Sequence, residues 1–195
     1  TKFLVGSKVY LDSDGNPIEA IENVADAAET LYFLESDGND EIGGFAPVSG
    51  YFGDGAERPA ISNDPNTWPM TWPDVLWTNG EKNWNGRRGK NYHNSDLETY
   101  FVTNDATNKD HIEKYKPRGD NHWGGLGLRC ATRSFQWRQY PMDNTIIWEY
   151  KISNISNYTL PEIFIGLYRD NSIGGNEYYS RSEEHTSELQ SLLII

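Results

Sequence analysis

The chain has 195 residues, with 17 Lys and Arg against 29 Asp and Glu, a formal net charge of −12. An acidic surface of that kind repels a phosphate backbone, so nucleic acid is excluded as the expected partner. No apolar run approaches the roughly 20 residues a membrane helix needs, and the single cysteine, Cys130, allows no internal disulfide.

Aromatic residues make up 13% of the chain, including seven Trp and twelve Tyr, and Gly, Asn and Asp are frequent. This mixture suits short strands joined by many turns. Asp12-Ser13-Asp14-Gly15-Asn16 follows Lys8-Val9-Tyr10-Leu11 and reads as a tight turn after a strand. Over residues 17–34, Ile18, Ile21, Ala25, Ala28 and Tyr32 fall at helical spacing. Asn16 as cap, Pro17 in the first turn and Glu19 as capping-box partner favour one short helix there. The alternative is a hairpin whose second strand runs to Leu34. Residues 35–41 form another turn rich in Asp, Gly and Asn.

Residues 43–79 are the least regular stretch. Pro47, Pro59, Pro65, Pro69 and Pro73 exclude long central strands or helices from it. A loop of this length either serves function or wraps a core with its own aromatics. Strand signals then sharpen over residues 98–102, 126–139, 145–153 and 163–168. In the third of these, Ile146, Trp148, Tyr150 and Ile152 alternate with Ile147, Glu149, Lys151 and Ser153. The last, Ile163 to Tyr168, is apolar on both faces and reads as a central strand paired antiparallel with its predecessor. Together these features predict a mainly β fold, an antiparallel β-sandwich with a long Trp- and Pro-rich loop.

Five constellations could carry chemistry. The first is Trp68, Trp72, Trp77 and Trp84 with Asp74 and Asn85. Flat indole faces stack on sugar rings, so Trp72, Trp77, Trp84 and Asp74 are candidate glycan-binding residues. The competing reading makes these Trp plugs that hold the loop onto the core. The second is the alternating oxygen ligands Asp37, Asn39 and Glu41, or Asp12, Asp14 and Asn16, which could wrap Ca²⁺. Neither set fits an EF-hand loop, because position six is Ile42 or Pro17 rather than Gly. The competing reading is a solvated turn.

The third set, His93, His111 and His122, shows no metal-ligand spacing. The fourth comprises nucleophile and phosphate motifs. No G-x-S-x-G occurs, and Gly125-Leu126-Gly127 is followed by Cys130 where a dinucleotide fingerprint needs Gly. Cys130 reads as a small core residue. The fifth is the acids Glu98, Asp105, Glu149 and Asp170, which could supply an acid/base pair for glycoside hydrolysis, although nothing in the sequence selects two of them.

Several segments resemble an uncharacterised family of large secreted multi-domain bacterial proteins. They include Ile61-Ser62-Asn63-Asp64-Pro65-Asn66-Thr67-Trp68-Pro69, Trp84-Asn85-Gly86, Leu97-Glu98-Thr99-Tyr100-Phe101-Val102, Gly125-Leu126-Gly127-Leu128 and Ile147-Trp148-Glu149-Tyr150. The resemblance spans residues 46–176 and implies export, a secreted or cell-surface location, and further domains of the same polypeptide, such as fibronectin type III-like modules. It carries no catalytic residue. Arg181 to Ser191 read RSEEHTSELQS, which looks like a translated sequencing adapter. The expected organisation is therefore one incomplete β-rich domain over residues 1–180 and an artefactual or disordered tail over 181–195.

Three functional readings follow. A non-catalytic structural or adhesive module ranks first. A carbohydrate-binding module ranks second and requires at least two of Trp72, Trp77 and Trp84 to be exposed and roughly coplanar. A polysaccharide-acting hydrolase ranks third and requires two carboxylates facing each other across a groove.

Overall fold

Alternation of apolar and polar residues governs the best-formed part of the molecule. The structure, a computed structural model, describes residues 2–14, 16–18, 29–36, 45–48, 58–69, 72, 83–108, 115–119, 123–160 and 162–168. In chain order the strands are β1 (Lys2–Leu11), β2 (Glu29–Ser36), β3 (Ala46–Pro47), β4 (Ala60–Ile61) and β5 (Asn85–Gly86), followed by β6 (Gly89–Lys90), β7 (Leu97–Asn104), β8 (Leu128–Gln136), β9 (Ile146–Asn154) and β10 (Ile163–Tyr168). A 3-10 turn occupies Pro65–Thr67. The fold is mainly β with antiparallel sheets, as the sequence predicts. Among the described residues no helix is long and apolar enough to cross a membrane.

One sheet has the order β10-β1-β2. The larger has the order β3-β7-β8-β9, with β4 also beside β7, and β5 and β6 form a separate hairpin. Register in the larger sheet sorts side chains onto two faces, because directly paired residues point the same way. Thr99, Phe101 and Thr103 share one face with Ser134, Thr132 and Cys130 and with Trp148, Tyr150 and Ile152. Glu98, Tyr100 and Val102 share the other with Phe135, Arg133 and Ala131.

Each face has its own core. On the first, Val5, Val9 and Leu11 of β1 pack with Leu128 and Cys130 of β8 and against Tyr150 and Ile152 of β9. This joins the two sheets as a sandwich. On the second, Ala60, Trp72 and Trp84 cover Tyr100 and Val102, with Trp68 and Val48 alongside. Over its described residues, the Pro-rich stretch therefore wraps a core with its own aromatics. Asp64 caps the 3-10 turn by accepting from Asn66 N, and Thr67 Oγ1 accepts from Ile61 N at 2.8 Å. The second of these bonds fastens the turn to β4.

Two sequence expectations are corrected. Residues 29–36 form β2 rather than the end of a helix, so the hairpin alternative describes them, while residues 19–28 lie outside the described residues. The turn that starts the hairpin is closed by Asp12, whose Oδ1 accepts from Asp14 N and Asn16 N. Strand β10 pairs with β1, from Lys2↔Tyr168 to Ser7↔Ile163, and not with β9. It ends its sheet, and Ile163, Phe164 and Ile165 are exposed. Its partner is the N-terminal strand, a long-range pairing that local pattern does not signal.

Close backbone approach fixes the segment before β8. A Cβ on Gly124 would sit 1.6 Å from Asn108 O. Gly124 N also donates to Ala106 O at 2.9 Å, so the two backbones cannot part without losing that bond. Gly124→Ala is expected to lower the unfolding free energy by about 3 kcal/mol. Gly119→Ala meets open space and bears only the left-handed φ of +70°, so its expected loss is nearer 1 kcal/mol. Urea unfolding of the two variants side by side checks the difference.

Candidate functional site

A fully buried carboxylate lies on the second face of the larger sheet. Glu98 sits in β7 at a position whose neighbours at i+2 and i+4, Tyr100 and Val102, are core residues. Strand alternation therefore drives its carboxylate inward, where it is fully buried. Oε2 accepts from Trp84 Nε1 at 3.0 Å, and Oε1 accepts from Asn94 N and, at 3.3 Å, from Ser95 N. Its own N–H donates to Ser62 Oγ at 2.9 Å.

Arg133 faces Glu98 from β8, with Nη1 3.8 Å from Oε2. Its guanidinium carbon lies 4.7 Å from the Tyr100 ring centroid, 5.7 Å from that of Trp84 and 5.8 Å from that of Trp72. Nη2 donates to Asn85 O, which ties the β5–β6 hairpin to the sheet. Buried Nη1 has no hydrogen-bond partner among the described residues and is held by the ion pair and the rings. Burial draws the guanidinium pKa below its ordinary value, while Tyr100, Glu98 and Glu149 oppose that fall.

Trp72 and Trp84 are therefore core residues. They meet edge to face at 86°, with centroids 5.5 Å apart, and are 5% and 0% exposed. The expectation of two exposed, coplanar indole faces among Trp72, Trp77 and Trp84 is not met, because burial under the loop takes two of the three. Trp77 and Asp74 lie outside the described residues. So do Asp37, Asn39 and Glu41, along with His111, His122 and Asp170. His93 is exposed and lies parallel to Trp84 at 6.2 Å. Among the described residues no three His, Cys, Asp or Glu side chains cluster.

A second buried carboxylate repeats the pattern. Asp105 follows β7 and is fully buried. Oδ1 accepts from Trp123 Nε1 at 2.6 Å and Leu128 N at 2.9 Å, and Oδ2 accepts from Gly127 N at 3.0 Å. Gly127 adopts φ +85°, which lets its N–H and that of Leu128 converge on one carboxylate. Burial raises the Asp105 carboxyl above its ordinary value, and the Leu128, Trp123 and Gly127 N–H groups pull against that rise.

Two acids expected as candidates for glycoside chemistry thus serve as acceptors for an indole and backbone N–H groups. Charge-assisted bonds of this kind hold chain segments together. Glu149 is engaged differently, on the surface, by Arg87 Nε at 3.0 Å. Cys130 is a buried core residue, as the sequence predicts.

Sequence reasoning missed the Glu98–Arg133 pair. A usable signal was present, since Glu98 and Arg133 each fall in phase with apolar residues of their strands. It also passed over the exposed apolar residues of β9 as surface. Ile146 and Trp148 are 56% and 50% exposed, and the Trp148 ring lies within 18° of parallel to Tyr150, with centroids 6.5 Å apart. Comparison with known proteins found no matching family model, no matching curated protein and no matching solved structure.

Proposed function

We propose that the chain is a non-catalytic structural or adhesive module of a secreted or cell-surface protein. The observation that supports this reading is the state of its best-placed acids. Glu98 and Asp105 are each fully buried and saturated by N–H donors, while large apolar side chains stand exposed on β9. General acid/base work needs a carboxyl within reach of substrate, and these two are spent inside the fold. The acidic surface and the resemblance to exported multi-domain polypeptides support the extracellular setting.

A panel of polysaccharides incubated with the protein is expected to release no new reducing ends. Release that disappears in Glu98→Gln, with the fold intact by circular dichroism, would overturn the reading in favour of a hydrolase.

A glycan-binding version of this module is favoured by one specific observation, the half-exposed Trp148 lying near-parallel to Tyr150. An indole placed this way can stack on a sugar ring, whereas buried Trp72 and Trp84 cannot. On a glycan array, binding is expected to fall about tenfold or more in Trp148→Ala, the scale of losing one stacked aromatic. Binding unchanged in Trp148→Ala would remove this version.

A further inference from the structure

Strand β9 is nine residues long and ends the order β3-β7-β8-β9, with β8 its one partner among the described residues. An edge strand presents a row of N–H and C=O groups ready to pair with another strand. Proteins usually blunt such an edge with proline, a bulge or several charges. Here the strand carries Ile146, Ile147 and Trp148 exposed, on both faces of the sheet. Its two charges, Glu149 and Lys151, are opposite in sign and flank Tyr150 symmetrically.

That symmetry points to the occupant. We propose that two copies of this chain pair through β9, antiparallel, across a two-fold axis at Tyr150. In this register Glu149 of each copy stands opposite Lys151 of the other, so one strand sequence supplies two complementary charge pairs. Trp148 of each copy stands opposite Ile152 of the other, an aromatic with β-branched pair of the kind that stabilises antiparallel strands. A register centred on Glu149 or on Lys151 sets like charges against each other, and no other symmetric register pairs both charges with their opposites. The contact is isologous and closes as a dimer, which merges two larger sheets into one. Arg87 already holds Glu149 Oε2 from the neighbouring hairpin, which orders the carboxylate before it meets its partner. This pairing does not depend on the function proposed above.

Sedimentation equilibrium of the full chain across the micromolar range tests it. The wild type is expected to show a concentration-dependent dimer. Glu149→Lys replaces two attractions with two repulsions and is expected to weaken dimerisation about tenfold or more. The double exchange Glu149→Lys with Lys151→Glu restores complementarity and is expected to recover most of that loss. Both positions are on the surface, so circular dichroism should show each variant folded. A wild type that stays monomeric throughout the range would overturn the proposal. So would a dimer indifferent to Glu149→Lys, or a double exchange that recovers nothing.

Discussion

Replacing Glu98 with Ala is expected to lower the unfolding free energy by about 3–5 kcal/mol, because it leaves Arg133 as an uncompensated cation in the core. The same change strands the Trp84 indole N–H and the Asn94 and Ser95 amides. Domains of this size are stable by about 5–15 kcal/mol, so a large part of the fold's stability rides on one side chain. Glu98→Gln keeps the shape and one acceptor and should cost less, about 1.5–3 kcal/mol, the worth of the charged bonds it weakens. Adding Arg133→Met to Glu98→Ala should recover part of the loss, since removing both charges relieves the burial of the cation. Chemical denaturation of the variants measures each step. A loss below about 1 kcal/mol in Glu98→Ala would mean the carboxylate is solvated rather than buried.

Asp105→Ala is expected to be comparably severe. Three donors, Trp123 Nε1, Gly127 N and Leu128 N, lose their acceptor in a buried setting. Each stranded donor costs about 1–3 kcal/mol, less than additively, which places the total near 3–5 kcal/mol. The pH dependence has an unusual sign. The folded carboxyl is raised by burial, so between its ordinary and its raised pKa the folded chain holds more protons than the unfolded chain. This group's contribution is full below the ordinary carboxyl value and declines as pH rises through that window. Asp105→Asn should remove that part of the slope. A slope unchanged between wild type and Asp105→Asn would show that burial and the donors cancel, and a change in the opposite sense would show that the donors dominate.

Legibility of the fold in the sequence followed the range of the interactions. The alternation in β7, β8 and β9 is local and pairs neighbouring strands, so pattern alone located them. β10 was misplaced because Ile163, Phe164 and Ile165 look like a strand buried on both faces. Its real partner is β1, more than 150 positions away, and those three side chains stay exposed. Residues 29–36 show the same effect, since pairing with β1 overrides the helical spacing of Tyr32 with its predecessors.

The candidate site was legible in type but not in position. Tryptophan beside proline fits a sugar platform and a core plug equally well, and only burial separates them. For Trp72 and Trp84 the aromatic cluster around Arg133 decides for the plug. Trp148 looked like one more apolar residue in the best strand, yet it is the tryptophan that reaches solvent on β9. Edge position decides that exposure, and edge position is a property of sheet order rather than of any segment.

Glu98 and Asp105 lie in the core, as do Trp72 and Trp84, while Trp148 of β9 stands exposed. Hydrogen exchange of the tryptophan indole N–H groups, followed by NMR, tests this arrangement most directly. The Trp84 and Trp123 indoles, bonded to Glu98 and Asp105, should exchange only through large unfolding events, and Trp148 should exchange at the rate of an open side chain. Exchange at Trp84 as fast as at Trp148 would contradict the account and reopen Glu98 as a group available for chemistry.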